Sequence, residues 1–327
     1  MALQALTNVG LRAAGGLLSR GPEGRRLVIL HYHRVPEVPD PLHPDLLDRP
    51  LFAMHMQALA DVFSVLPLSD ALAQLRDGTL PPRAVAVTFD DGYADNFQVA
   101  LPVLQHYRLP ATFFVAAGFL DGGCMFNDLV VEACRVVSTG TWHTGVAGLG
   151  TCHVTDVAAR VQLAGQLIGR LKYLSADERL AAAWDLLRSA GGTPPGHIMM
   201  TSDEVRALHR AGMEIGGHTH SHPILARLSN DDAEHEIRAG KAALESLLGA
   251  RLLHFAYPNG KPGTDYLPRD VIAAQAAGFT SALTTVWASA TRAADPFQVP
   301  RVGSWDRRRQ HFCARLLRCY RQVPETP

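Results

Sequence analysis

The chain has 327 residues, 47% of them hydrophobic, enough for one large α/β unit or two small ones with a full core. Lys plus Arg and Asp plus Glu each total 31, so the formal net charge is zero and nothing global points to nucleic acid as an obligatory partner. The five cysteines, Cys124, Cys134, Cys152, Cys313 and Cys319, are odd in number and lack C-x-x-C spacing, which argues against a disulfide framework or structural zinc site and favours a reducing compartment.

Residues 1–26 have no basic stretch ahead of a continuous apolar run, because Asn8, Arg12 and several glycines interrupt it. We read this N-terminal segment as a short docking helix rather than a signal peptide. No apolar run reaches the eighteen or so residues of a spanning helix. The expected location is therefore cytoplasmic, or peripheral to the cytoplasmic membrane.

From residue 27 onward, short apolar runs alternate with longer helical patterns, the signature of parallel βα units. The strand candidates are LVIL (27–30), AVAVTF (84–89), ATFFVA (111–116), MEIGG (213–217), LLHFAY (252–257), FTSALTT (279–285) and FQVP (297–300). Thr201 with Glu204, and Ser229 with Asp232, read as capping boxes that open amphipathic helices. Residues 121–200 break the rhythm with a Gly- and Thr-rich stretch and two Ala/Leu-rich helical patterns, and read as an insertion that covers or shapes a cleft.

The polar clusters fall just past strand ends. His31 and His33 follow LVIL, Asp90 and Asp91 follow AVAVTF, His218, His220 and His222 follow MEIGG, and Pro258-Asn259-Gly260 follow LLHFAY. In a barrel of parallel strands that rim is where catalytic groups gather, so one shared site is expected. Two adjacent carboxylates raise each other's pKa and need a metal, a shared proton or open solvent. His218 and His222 can face one ion, and imidazole suits zinc and similar divalent metals. A His-rich surface loop would read the same way, but the FDDG pair upstream favours the metal.

TFDDG followed by HTHSHP resembles the polysaccharide deacetylases of carbohydrate esterase family four, the NodB-like hydrolases, over most of residues 27–303. The resemblance implies an α/β fold, a distorted (β/α) barrel of about seven parallel strands. It also implies a divalent metal held by Asp91, His218 and His222, with zinc favoured and cobalt, nickel or iron also fitting. Asp90 would be the base that takes a proton from the attacking water, and His220 a neighbour rather than a third imidazole ligand. The family's third motif is here FAYPNG, with Ala256 where an arginine usually stands. Arg301, in VPRVGSW, is the candidate replacement, and the Asn259 backbone N–H matches the oxyanion donor. No Leu-x-His motif follows the last strands. Instead ILHYHRV resembles a permuted subgroup that includes poly-N-acetylglucosamine deacetylases, which implies His33 as general acid with His31 beside it.

Residues 304–327 form a basic amphipathic pattern with Phe312, Cys313, Leu316, Leu317 and Tyr320 on one helical face. Docking on its own domain and contact with a membrane surface or lipid-linked glycan both remain open for this helix. The expected function is metal-dependent hydrolysis of N-acetyl groups of amino sugars in a polysaccharide or its lipid-linked precursor. An O-acetyl esterase and an inactive carbohydrate-binding barrel are the alternatives.

Overall fold

The computed structural model describes residues 2–22 and 24–322. Its centre is the run Ala84–Phe89, buried at all six positions because elements cover both faces of the sheet it joins. Seven strands make up the main sheet: β1 (Val28–Tyr32), β2 (Ala84–Phe89), β3 (Thr112–Val115), β4 (Glu214–Gly217), β5 (His254–Ala256), β6 (Ser281–Leu283) and β7 (Val302–Gly303). Their spatial order is β6-β5-β4-β3-β2-β1-β7, all parallel, and Ser64–Val65 adds a short flank to the start of β2. A single parallel bridge from Leu283 to Val299 links the last segment back to β6, so the sheet curls into a half-barrel. The first and last strands are neighbours, with Leu30 opposite Val302.

Two strands differ from the sequence expectation. β7 begins at Val302 rather than within FQVP, where Pro300 has no N–H to give a ladder. β1 runs to Tyr32, so His31 lies inside the strand rather than after it. Strand alternation then decides which side chains share the barrel interior. Leu27, Ile29, Ala84, Ala86, Phe114, Ala256 and Leu283 form one inner cluster, while Val28, Leu30, Tyr32, Val85, Val87 and Phe89 pack outward. His31, Thr88 and Asp90 continue the inner parity to the C-terminal rim.

The helices are α1 (Ala2–Leu18), α2 (Arg49–Val62), α3 (Leu68–Asp77), α4 (Leu101–Tyr107), α5 (Phe126–Val136), α6 (Val157–Leu171), α7 (Ala176–Ser189), α8 (Ser202–Arg210), α9 (Asn230–Leu248), α10 (Pro268–Ala276) and α11 (Arg309–Cys319). α3 packs Leu68, Ala71 and Leu75 into the inner cluster and plugs the floor. Thr201 caps α8 with both arms of the box, and Ser229 caps α9 through the Asp232 N–H. Within 121–200, α5, α6 and α7 close around a core of their own, including Leu129, Val130, Leu163, Leu167, Leu186 and Leu187. This segment also carries an antiparallel hairpin, Gly140–His143 with Thr151–Val154, that the strand pattern did not predict. Only Trp142 and Val154 of it are buried, too few for an alternating signal.

α11 buries Phe312, Cys313, Leu316 and Leu317 in the main core, and the Tyr320 hydroxyl donates to the Ala84 carbonyl at 2.9 Å. Of the two readings left open for this helix, docking on its own domain is the one seen: its apolar face is covered by the protein, and nothing supports membrane or lipid contact. Among the described residues no helix is long and apolar enough to cross a membrane.

Candidate metal and catalytic site

Four rim residues adopt left-handed backbone: Asp91 (φ 77°), Thr219 (φ 64°), His222 (φ 54°) and Asn259 (φ 60°). For β-branched Thr219 this is a true outlier, and such strain persists only where the surroundings over-determine it. Here α9 does so. Glu236 accepts hydrogen bonds from the N–H groups of His220 (3.0 Å) and Ser221 (2.8 Å), and Thr219 Oγ1 accepts from the His222 N–H at 3.0 Å. One turn along α9, a Cβ at Gly240 would lie 2.4 Å from the Thr219 carbonyl, so glycine lets the helix press on the loop.

The loop brings His218 and His222 to Asp91. His218 Nδ1 lies 2.7 Å from the Ala256 carbonyl, which can only accept, so Nδ1 carries the proton and Nε2 keeps its lone pair. Both Nε2 atoms stand 3.3 Å from Asp91 Oδ1, and the three ligand atoms lie within 4.8 Å of one another. Asp91 Oδ1 is buried and accepts no hydrogen bond. Three lone-pair donors that converge without a shared proton fit a divalent cation, and two imidazoles with one carboxylate fit zinc, cobalt, nickel or iron. Burial opposes ionisation of Asp91, while positive charge beside it, from a protonated imidazole or a bound cation, favours it. His220 is exposed and outside the triad.

Asp90, one residue earlier, points into the barrel and is 2% exposed. Arg301, fully buried, donates from Nη1 and Nη2 to its two oxygens at 2.7 and 2.8 Å. The fork is held in turn: Nε donates to the Thr284 carbonyl at 3.0 Å and Nη1 to Thr88 Oγ1 at 3.2 Å. Burial would raise the Asp90 pKa, but the guanidinium holds the carboxyl well below the usual range. Ala256, on the inner face of β5, leaves this arginine to arrive from the segment before β7.

His33 follows β1 and lines the same cleft, of about 510 Å³, as Asp90, Asp91, His218, His222 and Asn259. The tail of TFDDGYADN fixes its backbone: Asn96 Nδ2 donates to the His33 carbonyl at 2.7 Å, and Asp95 accepts from the Val35 N–H at 3.1 Å. His31 points inward, with its ring 5.7 Å from that of His33 and edge-on to it. Burial, reinforced by the charges of Arg301 and His33, lowers the His31 pKa to about 3, and its Nδ1 is buried without a hydrogen-bond partner. At Asn259 the carbonyl accepts from Thr285 Oγ1 at 2.7 Å, while among the described residues no hydrogen bond uses the N–H.

The opposite wall comes from the 121–200 segment through Phe126, Asn127, Ile168, Lys172 and Arg179. Arg179, on α7, donates to the His222 carbonyl at 3.3 Å. Sequence reasoning missed Arg179, Glu236, Gly240, Asp95 and Asn96. Of these, Asp95 and Asn96 stand beside the FDDG motif and could have been suspected. Glu236 and Gly240 are four apart on one face of α9, a spacing that becomes informative only once α9 is known to cover the histidine loop.

Fold and site together define an α/β half-barrel that presents a divalent-metal triad beside a clamped, ionised carboxylate. A model of the polysaccharide deacetylase family matches residues 77–169 and 178–282, more than half of the chain, and the chain belongs to that family. Among curated relatives, the poly-beta-1,6-N-acetyl-D-glucosamine N-deacetylase of Staphylococcus aureus is 31% identical over 80 residues, 24% of this chain and 28% of that protein. The aligned stretches span about a quarter of the length of the curated relatives they match. Among solved structures, deacetylase PplD of Streptococcus pyogenes, in complex with acetate, superposes with TM-score 0.60 at 19% identity, covering 91% of this chain and 99% of that one. IcaB from Ammonifex degensii gives 0.58 at 21%, covering 90% and 98%. At these identities the likeness speaks to fold.

Proposed function

We propose that the chain is a metal-dependent deacetylase that hydrolyses N-acetyl groups of amino sugars in a polysaccharide and releases acetate. One observation carries the reading: a single cleft receives the Asp91, His218 and His222 lone pairs, the Asp90–Arg301 pair and His33. The name of the Staphylococcus aureus relative supports the N-acetyl class.

In this reading Asp91, His218 and His222 hold the metal, with zinc favoured. A divalent metal there supplies Lewis acidity, which polarises the acetyl carbonyl and makes the attacking water more acidic. Asp90, kept ionised by Arg301, accepts a proton from that water as its oxygen bonds to the acetyl carbon. The Asn259 N–H donates to the carbonyl oxygen as negative charge builds there. His33 gives a proton to the departing nitrogen as the C–N bond breaks, leaving a free amine and acetate. Arg301 acts through Asp90, fixing its rotamer as well as its charge.

An O-acetyl esterase would use the same groups with less need of His33, because an alkoxide leaves more readily than an amide nitrogen. A binding-only barrel was suggested by the alanine in the third motif, and the Arg301–Asp90 pair weakens that case. Metal analysis of the purified protein, with acetate release from N-acetylated and O-acetylated glycans, tests all three. Bound metal with release from the N-acetylated set is expected. Release from O-acetyl esters alone, or bound glycan with no release, would overturn the proposal.

A further inference from the structure

The cleft does not end at His33. A second cavity, of about 450 Å³, opens beside it, and His31 and His33 line both. Each volume is of the size that small-molecule sites take, on the order of 300–1,000 Å³. The far side of the second cavity is formed by Asp45, Leu46, Leu47, Ser304 and Trp305.

Trp305 is 54% exposed, although tryptophan is usually well buried. It is nevertheless held from several directions. The Arg315 guanidinium stands 4.2 Å from the ring centroid, and the Trp287 ring lies 5.1 Å away. Arg315 also pairs with Asp306. The residues on either side are pinned by buried His55: its Nδ1 lies 3.1 Å from Ser304 Oγ and its Nε2 2.7 Å from the Asp306 carbonyl. His55 itself stacks on Phe312 of α11, with ring centroids 3.9 Å apart. An indole fixed in this way meets a ligand with little ordering cost.

A flat aromatic face accepts the C–H face of a pyranose ring, whose hydrogens carry partial positive charge against the negative π surface. Carboxylate oxygens in such a site accept hydrogen bonds from sugar hydroxyls, and the exposed Asp45 lines the same cavity as Trp305. We propose that the second cavity is a subsite for the sugar adjacent to the one being deacetylated, with Trp305 as its stacking platform and Asp45 at its edge. The inference rests on the deacetylase reading of the cleft, and it makes the preferred ligand a chain of amino sugars rather than a free monosaccharide.

Binding calorimetry tests it on the full chain with zinc added and Asp90→Asn to suppress turnover. The probes are N-acetyl-D-glucosamine and its tetramers in β-1,6 and β-1,4 linkage. At least one tetramer should bind about tenfold tighter than the monomer, with Trp305→Ala removing the gain and Trp305→Phe keeping part of it. Asp45→Ala, at an exposed position, should lose part of the gain with no change in melting temperature, a readout that holds even if Trp305→Ala perturbs folding. Tetramers that bind no tighter than the monomer, or a gain that survives both alanine variants, would overturn the subsite. Acetate release by the unmutated protein is scored separately. Trp305-dependent tetramer binding without release would sink the deacetylase reading and leave the cavity as a glycan-binding site only, whereas release without a Trp305-dependent gain would sink the subsite alone.

Discussion

On the barrel side of the cleft, Asp90, His218 and Arg301 are each 2% exposed or less and belong to strands or strand ends, where a period of two sets the side that each faces. On the opposite side, Phe126, Ile168 and Lys172 are half-buried and arrive on helices that close around a separate core. The first wall has few ways to move without breaking buried ion pairs and ladder hydrogen bonds. The second stands on a core that shares no residue with the barrel's. Chemistry that needs tight geometry belongs on the first wall, and adaptation to a bulky substrate belongs on the second.

The largest effects should come from the rigid wall. Replacing Asp91, His218 or His222 with Ala should strip the metal, with an effect beyond the ~10- to 100-fold loss typical of outer-shell partners, as read by metal analysis after dialysis. Asp90→Asn should keep the metal and lower kcat by ~10²- to 10⁴-fold. Full metal occupancy in both histidine variants would break the comparison at its root. His33→Ala should likewise keep metal and lower kcat within the same ~10²- to 10⁴-fold range, while His31→Ala, whose ring is held neutral, should fall short of it. Equal losses from the two would show that the acid is not His33.

Much of the rigid wall was legible because strand periodicity and motif spacing encode it. AVAVTF matches β2 residue for residue, and the placement of Asp90, Asp91, His218 and His222 after their strands needed only the end of each apolar run. Arg301 could be nominated because a strand was expected before it; the pairing in fact begins after it, at Val302. What stayed hidden depends on contacts between elements distant in sequence. Glu236 and Gly240 matter because α9 crosses the histidine loop, and Arg179 because α7 reaches His222. The α11 face looked available to a membrane because its amphipathic pattern does not say whether its partner is lipid or the protein's own core.

A smaller effect, aimed at the clamp within the rigid wall, is expected from Arg301→Lys. Full removal of the guanidinium leaves Asp90 buried and unpaired, at a cost of about 3–5 kcal/mol, so Arg301→Ala is expected to confuse folding with catalysis. Lysine keeps the charge but cannot copy the two-pronged contact. The Asp90 pKa is held down by the guanidinium against burial, so weakening that contact raises it. A base must be ionised to act, and the acidic limb of the pH–rate profile should therefore move to higher pH, with metal content unchanged. An unshifted limb and undiminished rate would mean that the pair is structural only.

The smallest change concerns the second wall and asks how separate it is. Leu167 on α6 is fully buried in the insertion's own core, one residue before Ile168 of the cleft wall. Leu167→Ala should cost ~2–5 kcal/mol, felt within the insertion because its core shares no residue with the barrel's. If the walls are independent, metal content and kcat should stay near their original values while KM for a glycan chain rises several-fold. The hydrogen bond from Arg179 to the His222 carbonyl is the route by which this could fail, since it ties α7 to a metal ligand at 3.3 Å. Arg179→Ala cuts that tie without opening a cavity in the insertion core. Metal loss in both variants would make the insertion part of the metal site's support. Metal loss in Arg179→Ala alone would confine the coupling to one hydrogen bond, and loss in neither would leave the insertion as a substrate-facing wall.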